Sequence, residues 1–418
     1  MPTPIEIPDR PLHRLVHLYR QLTLIRKWYN GLATPCMESG GGLAEAMHRE
    51  ETIKGLYMAS NTKGVLLLRP QDVKDVLNIG EAIDLVELGY REAAESPIAN
   101  APRRRVHSKS NVRVSTFPGG VSGLNVIGSM SRGELVAPSG ADQSYPRREH
   151  PVSLLWDATT GNLDSIIIGE ITEKTIGPSS IMALRTAATS GVGFRHLVRK
   201  DAKTAGVFGS GGQALHKILA LDNERSIDTY KVFSRNKKNR ETFCERMAAL
   251  VDAEFIPVER PEAVLKDVDV VICATSSNVP VFDGFLLEPG QHVVTVVGSN
   301  RALVEGGWLK SGRRENDDET VRRADFIITN WLESVKQDSQ AGLIEPIEAG
   351  IIGWDKIHQL GELLTGVFPG RTNDDQITYH ANNNGTGAAD MALAKAVSDR
   401  CRQMGRGVEI ELPIIGEQ

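Results

Sequence analysis

Gly209, Gly211 and Ala214, within Thr204-Ala-Gly-Val-Phe-Gly-Ser-Gly-Gly-Gln-Ala214, form a G-x-G-x-x-A turn. An apolar run precedes it and an apolar-periodic stretch follows. The first glycine of such a turn permits a tight reversal. The second lets the backbone approach a pyrophosphate. The small third residue lets a helix lie close to the strand, with the phosphate at the helix N-terminus. The chemistry this pattern serves is dinucleotide binding, with Gly212 and Gln213 completing the loop and the helix start. Sites that take an unphosphorylated adenine ribose place an acid about 20 residues beyond the motif. Here Ser234-Arg235-Asn236-Lys237 stands in its place. A hydroxyl, a guanidinium, an amide and an ammonium suit a 2′-phosphate. The reading is NADP(H), with NAD(H) as the alternative.

A second chemical group precedes the glycine turn. Arg185, in Met182-Ala-Leu-Arg-Thr-Ala-Ala188, sits just ahead of the dinucleotide unit, where a cleft between two domains is expected. Its guanidinium can grip a carboxylate with two parallel hydrogen bonds. Hydride transfer from a dinucleotide needs an oriented nicotinamide, a held substrate and a proton source. Arg185 is therefore a candidate substrate-binding and catalytic residue, with a helix-surface arginine in an ordinary salt bridge as the alternative. His380 and Tyr379 are the candidate proton donors, with His107 behind them; an imidazole suits proton transfer near neutral pH.

These groups need elements to position them, and the pattern supplies an α/β chain. Apolar runs at 205–209, 230–234, 254–258, 268–274, 292–297 and 325–329 alternate with helical stretches at 212–221, 237–250 and 261–266. Continuous apolar strands separated by helices mean a doubly wound parallel sheet of Rossmann type. Before it, residues 63–187 read as an α+β substrate and dimerisation domain, with a strand at 65–68, a helix over 72–95 and strand-rich hairpins. Residues 1–62 read as a helical N-terminal extension with an apolar stripe from Leu15 to Trp28. The Rossmann domain is expected over 188–335. Residues 336–418 are expected to return to the substrate domain through a helix over 387–404.

Composition narrows the function. The 418 residues carry a net charge of −5, with 40% hydrophobic and 24% charged residues. No basic patch for nucleic acid or an anionic membrane is expected. No apolar run reaches the roughly 20 residues that span a bilayer, and no signal pattern opens the chain. The 4 cysteines are widely spaced, without metal or redox spacing. A cytoplasmic protein with free thiols and no metal is expected.

The Met182–Ala188 segment, the Gly209 loop, Phe233-Ser-Arg-Asn236, Glu288-Pro-Gly-Gln-His292, Leu360-Gly-Glu-Leu-Leu-Thr-Gly366 and the Gly385…Asp390 helix start occur in one order. Together they resemble the ornithine cyclodeaminase/mu-crystallin family, over roughly Val65 to Val397. The resemblance implies a homodimer, or a higher even oligomer, of two-domain chains. It also implies that Arg185 binds a substrate carboxylate and that Thr186 contacts a cofactor phosphate. Pro102-Arg-Arg-Arg105 resembles the family's Pro-x-Arg element and places Arg104 as a second carboxylate contact. Thr275, Ser276 and Gly298 join the expected cofactor set. Three departures mark diverged chemistry. Asn125 stands where many members have a lysine. Thr275-Ser-Ser-Asn278 lacks the aspartate of cyclodeaminases. Tyr379-His-Ala-Asn-Asn-Asn-Gly385 replaces a Phe-Lys-Ser-x-Gly element. The expected function is an NADP(H)-dependent oxidoreductase interconverting an imino acid and an amino acid. A cyclodeaminase-type lyase that recycles NAD, and a non-catalytic NADPH-binding protein of crystallin type, are the alternatives.

Overall fold

The computed structural model describes residues 64–96, 99–136, 147–169, 171, 181–298, 301–307, 312–339, 342–383 and 385–412. The helical extension expected over 1–62 lies outside them.

Two sheets make the frame. The first contains β1 (Val65–Leu68), β2 (Arg104–His107), β3 (Val112–Val121), β4 (Val126–Leu135), β5 (Arg147–Arg148), β6 (Val152–Asp157), β7 (Leu163–Ile168) and β16 (Val408–Ile410). Its order is β16-β1-β7-β6-β4-β3-β2, with β5 on β4. Inward and outward residues alternate along β3, so Arg113, Ser115 and Phe117 are buried while Val112 and Val114 are exposed. Helix α1 (Ile79–Glu95) packs against β3 on the buried side. It starts later than the residue 72 expected from its apolar spacing. Asn78 accepts from the Glu81 amide and Glu81 accepts from the Asn78 amide, a reciprocal cap that fixes the first turn. Asp75, at φ +56, keeps the residues before it out of the helix.

The second sheet is parallel throughout. It contains β8 (Thr204–Phe208), β9 (Thr229–Phe233), β10 (Glu254–Pro257), β11 (Val270–Cys273), β12 (His292–Thr295), β13 (Phe326–Thr329), β14 (Ile357–Gln359) and β15 (Thr378–Ala381), in the order β10-β9-β8-β11-β12-β15-β13-β14. Helices α2 (Ile181–Leu197), α3 (Gly212–Glu224) and α4 (Lys237–Ala248) accompany it. β11 and β12 are buried along their whole length, as strands covered on both faces must be. This is the Rossmann-type sheet that the alternation implied.

The boundary expected after residue 335 falls later. β14 and β15 belong to the second sheet, and β15 lies between β12 and β13. Thr378-Tyr-His-Ala381 is too polar to read as a core strand. Two of its polar side chains are bonded internally instead: Thr378 Oγ1 lies 2.8 Å from His292 Nδ1, and Tyr379 Oη 2.8 Å from Thr295 Oγ1. Only after β15 does the chain return to the first domain, through α5 (Gly387–Gln403), which packs on α1, β3 and β4. The boundary expected at 187/188 falls inside α2, which packs against both α1 and α3.

Candidate active site

The carboxyl ends of β8, β9, β11, β12 and β15 share one edge of the second sheet. From β8 the chain turns outward to β9 and β10, then crosses to β11. The β8/β11 boundary is therefore the switch point where open α/β sheets hold ligands. Gly209 occupies it at φ +117, and a Cβ there would fall 2.3 Å from the Ala274 carbonyl oxygen. Only glycine fits that turn. Gly211 and Gly212 are exposed, with open space where side chains would stand. Gly211 caps α3 without any side-chain bond, so the first amides of that helix are available to an anion. Ala214 is buried and Gln213 half-buried behind them.

Ser234 follows β9, and its hydroxyl accepts from Ser210 Oγ at 3.1 Å. Arg240 Nη1 donates to the Ser234 carbonyl at 3.2 Å and fixes this turn. Arg235 is exposed beside it, with no protein partner among the described residues. Asn236 is engaged: its Oδ1 accepts from the Asn239 amide at 3.0 Å and caps α4. Lys237 is exposed, 3.8 Å from Glu241. On the other side of the switch point, Glu315 is fully buried and ties two loops together. Its Oε1 accepts from Thr275 N and Oγ1 at 2.6 and 2.7 Å, and its Oε2 from Val296 N and Val297 N, both at 2.9 Å. It thereby holds the loop of Thr275 and Ser276 and the loop leading to Gly298. Nothing in its local sequence signals that role, because the four donors come from distant segments.

Arg185 lies on α2, buried, and donates from Nε to Asp390 Oδ1 at 3.0 Å. Asp390 is in the first turn of α5. The guanidinium lies against Gly385, where a Cβ would stand 2.3 Å from Nη2 and 2.6 Å from Nη1. Burial pushes the Asp390 carboxyl upward, and the Arg185, Arg132 and Arg103 guanidinia oppose that. Arg132 is buried on β4; Arg103 stacks 5.4 Å over the Phe117 ring. Tyr90 of α1 adds a buried phenol, 3.4 Å from Thr189 Oγ1, its pKa raised by burial. Beneath this centre runs a polar network. Asn382 Nδ2 donates to the Thr186 carbonyl and to Ser190 Oγ, both at 2.7 Å. The Lys217 ammonium of α3 also donates to Ser190 Oγ, and burial brings its pKa down to about 7. Thr186 is thus fixed between α2 and the end of β15.

Several expected residues are not brought to this centre. Arg104 is exposed on β2, because neighbours on a strand face opposite ways; Arg103 takes the inner side. Asn125 closes the β3–β4 hairpin at φ +51. There its amide donates to Asp157 Oδ2 at 2.7 Å and accepts from Thr159 Oγ1 at 2.9 Å. His380 is wholly buried within the sheet, with Nε2 2.9 Å from Asn330 Oδ1. Burial and the Lys217 charge push its pKa to about 3, so it holds no acidic proton near neutral pH. Tyr379 donates to Asn316 Oδ1 at 2.9 Å, and burial raises its pKa. His107 sits on β2 with its pKa lowered by burial and by Arg113 and Arg105. Sequence reasoning missed Arg103, Arg132 and Glu315, and took Asp390 only as a helix start. Period-two alternation could have selected Arg103 over Arg104.

With the geometry in hand, comparison with known proteins is decisive. The sequence profile of the ornithine cyclodeaminase/mu-crystallin family matches residues 64–405. The chain belongs to that family. Among curated relatives, a delta(1)-pyrroline-2-carboxylate reductase of Bacillus cereus is 24% identical over 349 residues, covering 83% of this chain and 100% of the relative. An iminosuccinate reductase of Paracoccus denitrificans is 25% identical over 330 residues, covering 77% and 94%. Among solved structures, the delta(1)-pyrroline-2-carboxylate reductase of Thermococcus litoralis, in complex with NADH and L-proline, superposes with a TM-score of 0.69 at 26% identity. It covers 83% of this chain and 100% of that one. Among the described residues no helix is long and apolar enough to cross a membrane.

Proposed function

We propose that this family member is an NADP(H)-dependent reductase that interconverts an imino acid, or a keto acid plus an amine, with an amino acid. The observation that carries the reading is the pairing of two sites on neighbouring helices. α3 opens at the glycine loop, and α2, packed against it, presents Arg185. The residues fit a dinucleotide: an uncapped helix start, open space over Gly211 and Gly212, and a hydroxyl and a guanidinium at Ser234 and Arg235 for a 2′-phosphate. When bound, that group supplies a hydride at its nicotinamide. Arg185 would hold the substrate carboxylate, Thr186 and Thr275 would contact the cofactor, and the buried setting of Arg185 would keep water out.

The relatives' names support C=N chemistry, and their cofactors support a nicotinamide dinucleotide. The preference for NADP(H) rests on the Ser234–Lys237 turn alone. Thr275–Asn278 offers no carboxylate, which disfavours the lyase. For the homodimer, Val106, Val112, Val114 and Leu135 form an exposed apolar row on the outer face of the first sheet, suited to a second copy. The test is a panel of keto acids crossed with ammonia, methylamine and amino acids, followed by NADPH absorbance. Oxidation with a subset of pairs is expected. Tight NADPH binding without oxidation in any pair would leave a binding protein instead.

A further inference from the structure

Reducing a C=N bond consumes one hydride and one proton, and few acids are placed to give the proton. Tyr379 and His380 are bonded inside the second sheet. Both Glu315 oxygens are occupied by backbone and hydroxyl donors. Among the described residues, the carboxyl that contacts Arg185 is that of Asp390. Its Oδ1 is taken by Arg185 Nε at 3.0 Å, whereas its Oδ2 is buried without a hydrogen-bond partner. A buried carboxyl oxygen is costly to leave unmatched, so an orphan of this kind marks a place for a ligand or a proton. The groups facing it are Arg185 from α2, Arg132 from β4, Arg103 ahead of β2 and the Tyr90 phenol from α1.

We propose that Asp390 is the proton donor of the reaction, delivering the proton from Oδ2 to the imine nitrogen while Arg185 holds the substrate carboxylate. The inference rests on the reductase reading. In an imino acid the C=N carbon is bonded to the carboxylate carbon, so a substrate whose carboxylate is held on Arg185 keeps its nitrogen two bonds from that carboxylate carbon, beside the arginine that contacts Asp390. The imine carbon takes the hydride with its electron pair. The C=N π pair moves to nitrogen, which takes the proton as the Oδ2–H bond breaks. The imine is reduced to an amine, the reduced nicotinamide is oxidised, and Asp390 is left as a carboxylate beside Arg185. Solvent reprotonates it between turnovers. Burial favours the protonated form that this role requires.

Asp390→Asn tests the proposal. An amide oxygen still accepts from Arg185 Nε but carries no ionisable proton. Wild type should lose kcat/KM as pH rises through one ionisation, since a general acid must be protonated. The variant should lose about 10²–10⁴-fold in kcat with little change in KM, and lose that limb of the pH profile. Its thermal melt and its NADPH titration should match wild type. The proposal is overturned if the variant keeps wild-type kcat and the same limb, or if KM alone rises, which is the mark of a residue that only orients Arg185. It is also overturned if Tyr90→Phe, rather than the Asp390 variant, removes the limb. Wild type commits the proposal without any variant: a flat profile in the alkaline direction excludes it. A wild type that reduces no imine removes the reductase reading itself, and the proton donor with it.

Discussion

Replacing Gly385 by alanine disturbs Arg185, the proposed carboxylate clamp, directly. The three atoms nearest a Cβ built at Gly385 all belong to the Arg185 guanidinium, and none is backbone. The obstacle is the guanidinium. A Cβ at 385 would stand 2.3 Å from Nη2, and 2.6 Å from both Cζ and Nη1 of Arg185. Comfortable heavy-atom contact lies at about 3.5–4.0 Å. The guanidinium must therefore retreat by about 1 Å, and as the far end of a flexible side chain it can do so cheaply. The fold is kept, while the Nε bond to Asp390 and the face presented to a carboxylate are displaced. A lost hydrogen bond to a charged group is worth about 1.5–3 kcal/mol. At 1.4 kcal/mol per tenfold, kcat/KM for the imino acid falls by about ten- to 150-fold. NADPH binding is unchanged, because the glycine loop is untouched. Steady-state kinetics beside a fluorescence titration of the cofactor read both quantities. A folded Gly385→Ala enzyme with wild-type kcat/KM would refute the assignment of Arg185 as the carboxylate clamp.

Three further outcomes are expected. Arg235→Ala weakens NADPH by about 1–3 kcal/mol and leaves NADH unaffected in paired titrations, since the proposed partner of this exposed guanidinium is the 2′-phosphate that NADH lacks. Glu315→Gln sets an amide NH2 against donors and lowers stability to denaturant by about 1–3 kcal/mol, loosening both loops beside the switch point. Acid weakens the fold through Glu87. Burial would raise its pKa, yet bonding to His196 and the charges of His196 and Arg195 lower it from 4.5 to about 2. Because the folded value is the lower one, the stabilisation is complete above the unfolded pKa and is lost as pH falls from 4.5 toward 2. It amounts to about 3 kcal/mol. Urea melts across that window should be flatter in Glu87→Gln; an equal slope would assign the acid loss to other groups.

The second sheet was readable because β8, β11, β12 and β13 are continuous apolar runs, and because Gly209 announces the turn at their edge. β15 was not, since Thr378-Tyr-His-Ala381 hides its burial behind polar side chains with partners 50 to 86 residues away. The helix start at Ile79 was legible in Asn78-x-x-Glu81, but the apolar spacing of Val73 and Val76 pointed further upstream. For the proposed site, the Ser234–Lys237 turn was singled out by residue type and position, and Arg185 by the family resemblance. The proposed acid was not legible: Asp390 is 205 residues from Arg185, and no periodicity links them. The choice of His380 failed because an imidazole's usual pKa says nothing about a strand that buries it completely. Arg104 failed because three adjacent arginines alternate in direction, which only the pairing of β2 with β3 fixes.

Hydride transfer from a reduced nicotinamide to the carbon of a C=N bond is the core of the proposed function. A single turnover with cofactor deuterated on the transferring face at C4, a keto acid and an amine tests it, with the product analysed by mass spectrometry and NMR. One deuterium is expected at the α-carbon of the amino acid and none elsewhere. An amino acid formed without deuterium at that carbon would contradict it.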